Sequence, residues 1–283
     1  MRFTYEDKMP NTNVGEGYNY PNENYGVLCE LADKAKFKKA ASIASGGEVP
    51  LFVVLPRANS VMAIDHSYNS SRWVCVKALL LEHNTTQQIR KLLKDIAGNA
   101  AVGEKLFLEL GKELPPELHR LATKHNSYSS YYYEPKPVEK ASWAYVFGYF
   151  DFRGWALYMN SIPDAMLDAA RERLDNLTVI HGDLRKLEEY GKFDFLYASN
   201  APEHYTYEGG KMLGFDPMVD LVKRRGYVLH TYNSRRTFPE VWKEAALFHG
   251  RPKENGSMGN SWHYRLSQYL TKPQVEKMKP VQA

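Results

Sequence analysis

Short apolar runs alternate with amphipathic stretches along most of this chain. Residues 39–45 (KAASIAS) form a small-residue apolar run, followed by Gly46-Gly47 and EVPLFVVLPR, a pattern that predicts strand, glycine turn and helix. Residues 60–65 (SVMAID) make a second run ending in an acid, as a buried parallel strand does. The two predict a βαβ unit. From about residue 69 to 125 the pattern is helical: SSRWVCVKALLLEH, TTQQIRKLLKDIA, VGEKLFLELGKEL and PPELHRLATKH, punctuated by Thr85, Gly98 and Pro115. An aromatic tract over 127–159 (SYSSYYYEP, then SWAYVFGYFDFRGWALY) reads as a substrate wall or as dense core.

After the amphipathic stretch PDAMLDAARERL, strands are predicted at 177–180 and 193–198. A helical GGKMLGFDPMVDLVKRR leads to a fifth strand, GYVLHTY, and WHYRLSQYL alternates like an antiparallel partner. This order predicts an α/β, Rossmann-like fold. Its sheet is mostly parallel, with an antiparallel edge strand and a helical, aromatic-rich insertion between the second and third core strands. The expected organisation is a lid or loop segment and helix over 1–38, a core of 39–68 and 177–283, and an insertion over 69–176.

Composition narrows the function classes. With 43% hydrophobic and 25% charged residues the chain is neither fibrous nor wholly disordered. No window approaches about eighteen uninterrupted apolar residues, and MRFTYEDKMP contains no apolar stretch suited to a signal peptide, so no transmembrane segment and a cytoplasmic location are expected. Cys29 and Cys75 are the only cysteines, and no HExxH or paired CxxC occurs, so no metal is expected. A net charge of +4 attracts anions weakly but does not identify nucleic acid. The Lys34–Lys39 cluster and the Arg224-Arg225 and Arg235-Arg236 pairs read as solvated faces or helix ends.

The chemistry-bearing positions cluster at predicted strand ends. Ser45, Gly46 and Gly47 occupy a strand-to-helix turn, where backbone approaches a ligand closely and N–H groups favour a carboxylate. Such a turn also occurs with no ligand. Asp65 lies nineteen residues beyond Gly46, where nucleoside-binding folds place the acid that accepts ribose hydroxyls; it serves equally as a helix cap. Asp183, after the third strand, can accept from an adenine amino group or cap LRKLEEY. The fourth strand leads into Ser199, Asn200, Glu203 and His204, at the sheet edge that binds ligands in open α/β folds. There Glu203 suits a general base and His204 a proton carrier.

These segments resemble the class I S-adenosylmethionine-dependent fold. Within it they are similar to the betaine-lipid family, which transfers the 3-amino-3-carboxypropyl group of S-adenosylmethionine to diacylglycerol. The resemblance rests on IASGGEVPL (43–51), AIDHS (63–67), LTVIHGDL (177–184), FDFLYASNAPEH (193–204) and NSWHYRL (260–266). It implies S-adenosylmethionine as cofactor, held by Ser45, Gly46, Gly47, Asp65, His66, Asp183, Leu184, Ser199 and Asn200. The chain departs from ordinary methyltransferases of this fold, with Ser42, Ala44 and Glu48 where an acid and outer glycines would fall. The upstream YPNENYGVLCEL is similar to the family's acidic N-terminal motif, with Asn24 in place of its Asp. Tyr18, Tyr20 and Tyr25, and His263 and Tyr264 in the late motif, are candidates to close over the sulfonium; Tyr264 joins Glu203 and His204 as a catalytic candidate.

The resemblance implies a transferase of the aminocarboxypropyl type with an amine or hydroxyl acceptor. The acceptor class (lipid, small molecule or nucleic acid) and the oligomeric state stay open. The alternatives are a methyltransferase, an enzyme that cleaves S-adenosylmethionine without an acceptor, and a nucleic-acid adaptor that keeps a degenerate cofactor fold and stacks bases on its tyrosines.

Overall fold

The computed structural model describes residues 1–9, 24–119, 152–199, 216–232, 242–249 and 263–269. The chain is α/β and Rossmann-like, with mostly parallel strands and antiparallel pairing towards one edge. It divides into two compact units, residues 1–22 with 44–184, and residues 23–43 with 185–283.

The first unit carries β1 (Thr4–Asp7), β3 (Ser60–Asp65) and β4 (Leu177–His181), paired in parallel in the order β1-β4-β3. The register sets Asp7 and Asp65 each opposite His181, so three ionisable side chains lie in one row at the carboxyl ends of the strands. β1 is an addition to the expected strand set. Its sequence, TYED, carries no apolar run, and only its ladder to β4 makes it a strand.

Between β3 and β4 the chain forms the expected helical insertion. Helix α2 (Tyr68–His83) is buried on nearly every side, as its SSRWVCVKALLLEH pattern requires. Helix α3 (Thr86–Gly98) starts at a capping box in which Thr85 accepts from the Gln88 N–H while the Gln88 side chain accepts from the Thr85 N–H. It buries Ile89, Leu93 and Ile96, one turn apart. Helices α4 (Ala100–Gly111), α5 (Phe152–Asn160) and α6 (Asp164–Glu172) complete the layer. Phe107 of α4 meets Trp155 and Phe152 of α5 edge-on at 5.0 and 5.3 Å, and Trp73 of α2 at 5.7 Å. The described end of the aromatic tract is therefore core; residues 127–151 lie outside the described residues.

The second unit holds α1 (Tyr25–Ala35), β2 (Lys39–Ile43), β5 (Phe193–Ser199), α7 (Asp216–Leu221), β6 (Val222–Tyr232), β7 (Trp242–His249) and β8 (His263–Tyr269). Its strand order is β2-β5-β6-β8-β7, parallel as far as β6 and antiparallel beyond it. Phe37 stacks on Phe195 with ring centroids 4.2 Å apart. Asn24 caps α1 by accepting from the Val27 N–H, which accounts for an Asn at this position on local grounds alone.

Two expectations change here. The stretch expected to stay helical through Arg225 ends at Leu221, and Lys223, Arg224 and Arg225 belong to the start of β6, where the register to β5 jumps from Val222 to Tyr227. Arg225 takes a left-handed φ of 66°, and a Cβ on Gly226 would come within 2.9 Å of the Asp194 carbonyl, so the strand bulges at that glycine. In addition, WKEAALFH, unassigned from sequence, forms β7 at the antiparallel edge. Among the described residues no helix is long and apolar enough to cross a membrane.

Candidate functional site

The site lies in the first unit, where the turn over 44–47 meets the carboxyl ends of β3 and β4. Ala44 donates its N–H to the Ile64 carbonyl at 2.8 Å, carrying the chain level with the end of β3. The turn closes with the Gly47 N–H on the Ala44 carbonyl, also 2.8 Å. Ser45 has φ 49° and Gly47 φ 100°, two left-handed residues in three. A Cβ on Gly47 would stand 3.1 Å from the Val74 Cα, so this glycine is demanded by its own backbone angle and by close approach of α2.

Asp65 ends β3 and is almost fully buried. Its Oδ2 accepts from the Ser45 N–H at 3.0 Å and its Oδ1 from the Ser67 N–H at 2.9 Å. Ser67 in turn caps α2, its hydroxyl accepting from the Ser70 N–H at 3.4 Å. One carboxylate thereby ties the glycine turn, the strand end and the helix start. Burial pushes the Asp65 carboxyl above the usual aspartate range, opposed by the Ser67 N–H, His66 and the Ser45 N–H. His66 is exposed, with its Nδ1 3.4 Å from Asp65 Oδ1.

The next strand end completes the row. His181 is buried, its Nδ1 3.0 Å from Asp7 Oδ1, with the Tyr68 ring edge-on at 5.5 Å. Gly182 donates to the Asp65 carbonyl at 2.8 Å, which brings the HGD segment against the end of β3. Asp183 is half-buried and Leu184 is buried at the head of a 3-10 turn. Ser45, Gly46, Gly47, Asp65, His66, Asp183 and Leu184 thus gather at one set of strand ends. Ser199 ends β5 in the second unit with φ 48° and is buried. Asn200, Glu203 and His204 lie outside the described residues, and of Tyr264 only the β8 backbone, opposite Thr231 and Phe248, is described.

Behind the turn stands a cluster that sequence reading passed over. Lys77 of α2 donates from Nζ to the Gly46 carbonyl and to Glu48 Oε1, both at 2.5 Å, and Trp155 donates from Nε1 to the same Oε1 at 2.9 Å. Glu48, Lys77 and Trp155 are all fully buried. Burial pushes the Glu48 carboxyl up and the Lys77 ammonium down, while each partner's charge resists the other's shift. The available signal was a lone charge at the head of one apolar run, EVPLFVVL, and another inside a second, VCVKALLL. The first run, expected to be an α-helix, is a π-helix over Val49–Val54 followed by a 3-10 turn over Leu55–Arg57. Such wide turns occur where local packing or function requires them. Among the described residues no group of three or more His, Cys, Asp or Glu side chains is placed to hold a metal ion.

No protein-family model matches the chain, and no curated protein does. Among solved structures, the chain is similar to the N-methyltransferase NodS of Bradyrhizobium japonicum, at 8% identity over 87% of this chain and 94% of that one, with a TM-score of 0.43. It is also similar to the rRNA methyltransferase AviRa of Streptomyces viridochromogenes, at 10% identity over 90% and 88%, with a TM-score of 0.44. A precorrin 8w decarboxylase of Methanobacterium thermoautotrophicum matches at 12% identity over 89% and 93%, with a TM-score of 0.38. At these values the similarities say nothing about activity.

Proposed function

We propose that this chain is an S-adenosylmethionine-dependent transferase, with the cofactor held between the Ser45-Gly46-Gly47 turn, Asp65 and Asp183. The observation that carries the reading is the placement of the Asp65 carboxylate, at the end of β3 and bonded directly to the Ser45 N–H of the turn. A carboxylate offers about four acceptor positions, and Asp65 uses one on each oxygen for the Ser45 and Ser67 N–H groups. The Ser70 hydroxyl takes a further position, and what remains is left for a ribose hydroxyl. The donors of the turn fit an anionic group too: among the described residues the Gly46 N–H has no acceptor, whereas those of Ser45 and Gly47 are used.

In this reading Asp183 accepts from the adenine amino group and His66 and Leu184 flank the nucleoside; the resemblance adds Ser199 and Asn200 as cofactor-binding residues. Glu203, His204 and Tyr264 serve the acceptor. The resemblance to the aminocarboxypropyl family favours transfer of that group. A sulfonium is already a good leaving group, so the residues around it contribute chiefly by aligning the acceptor with the attacked carbon.

Calorimetric titration with S-adenosylmethionine tests the cofactor, and mass analysis of incubated mixtures tests the group. Methylthioadenosine with a modified acceptor supports aminocarboxypropyl transfer. S-adenosylhomocysteine makes the chain a methyltransferase, and methylthioadenosine formed with no acceptor makes it a cleaving enzyme. Absence of binding, with salt-sensitive retention on single-stranded nucleic acid, replaces the transferase by an adaptor.

A further inference from the structure

The Glu48–Lys77 pair is a poor device for stability alone. Two charges taken out of water seldom regain their hydration from mutual attraction, and an apolar pair of similar volume usually does as well. Glu48 Oε2 is moreover buried with no hydrogen-bond partner among the described residues, which costs further free energy. What an apolar pair cannot do is hold the Gly46 carbonyl. That carbonyl accepts from Lys77 Nζ at 2.5 Å, while the N–H of the same peptide unit, that of Gly47, donates to the Ala44 carbonyl at 2.8 Å. Both polar ends of one peptide are thereby fixed, and among the described residues the preceding N–H, that of Gly46, is the donor left over.

We propose that Lys77 and Glu48 are positioning residues that set the orientation of the Gly46–Gly47 peptide for the anionic, methionyl end of the cofactor. Trp155 of the helical insertion steadies Glu48. The inference rests on the cofactor reading above. Lys77 anchors the carbonyl, Glu48 keeps the ammonium charged and aimed, and Trp155 fixes the carboxylate oxygen that both share. Glu48 stands where ordinary methyltransferases of this fold have a glycine, so this chain holds its turn from behind with a charge instead of relying on glycine freedom alone.

The test uses the full chain, two ligands and a double variant, Glu48→Leu with Lys77→Met. S-adenosylmethionine carries the methionyl end; adenosine lacks it and reports on the Asp65 side only. The expected result is a protein that still unfolds cooperatively in urea, with a midpoint lowered because the Gly46 carbonyl and Trp155 Nε1 lose their partners, an S-adenosylmethionine Kd raised roughly tenfold, as loss of a positioned hydrogen bond predicts, and an unchanged adenosine Kd. Equal Kd values for S-adenosylmethionine in variant and wild type overturn the inference, and so does proportional weakening of both ligands. Should the double variant fail to fold, Glu48→Gln, which keeps the volume, is read by the same difference between ligands. A wild-type chain that binds neither ligand overturns the cofactor reading itself.

Discussion

The Ser45 N–H donates to Asp65 Oδ2 at 3.0 Å, and this bond joins the glycine turn to the end of the neighbouring strand. Asp65 therefore has structural work even before any ligand arrives. Replacing it with Ala strands two buried N–H groups, those of Ser45 and Ser67, and is expected to lower the unfolding free energy by about 2 kcal/mol or more. S-adenosylmethionine affinity should fall in the same variant, and Asp65→Asn, with one acceptor oxygen left, should lose less stability. Urea denaturation beside calorimetry checks both; a fully stable Asp65→Ala protein would rule out the clamp.

Gly47 gives a second prediction. Its φ of 100° and the 3.1 Å gap between a built Cβ and the Val74 Cα leave no room for a side chain. Gly47→Ala should destabilise by about 1–3 kcal/mol through backbone strain and overpacking. A thermal unfolding midpoint equal to wild type would contradict this.

In the second unit, burial and then the nearby Arg265 charge hold the His230 imidazole down to about 3, against a smaller upward pull from a hydrogen bond to the Thr231 backbone. Between that value and the ordinary histidine value of about 6.5 the unfolded chain binds a proton that the folded chain refuses. Stability must then fall as the pH drops below about 6.5, by about 2 kcal/mol between pH 7.5 and 5. His230→Asn should flatten that stretch of the pH–stability curve, whatever it does to stability at pH 7.5. Parallel curves for the two proteins would refute the assignment.

Asp194 behaves in the opposite sense. Partial burial raises its carboxyl, but the Lys223 ammonium and the N–H groups of Lys39 and Lys38 outweigh that and hold it below the ordinary range. The folded chain favours the charged form, so this contribution is present above about pH 3.9 and is lost as the pH falls through the lowered folded value. Asp194→Asn should be less stable than wild type by about 1 kcal/mol at pH 7. Urea titrations in acid should show the two converging; a gap that persists unchanged would disprove the linkage.

The parallel core was readable because buried parallel strands are apolar throughout: KAASI, SVMAID, LTVIH and FDFLYAS announce themselves by composition. The helices were readable from their caps and periodicity, as at Thr85 and along α3. Edge strands were not. TYED and WKEAALFH have too little apolar alternation to stand out, and each is a strand only because a partner supplies its hydrogen bonds. The end of α7 was misplaced for the same reason, since pairing of Val222 with Phe193 outweighs the helical preference of the residues that follow.

The sequence by itself determined the alternation of strands and helices, the glycine turn, and the acids at the end of β3 and just beyond β4, because local periodicity and turn chemistry act over a few residues. The tertiary structure alone decided what those residues touch. It spent part of Asp65 on the Ser45 and Ser67 N–H groups, committed Gly47 to Val74, and brought Glu48, Lys77 and Trp155 together from positions up to 107 residues apart. Contacts at such separations are made by packing after the chain has folded, and no spacing rule along the sequence encodes them.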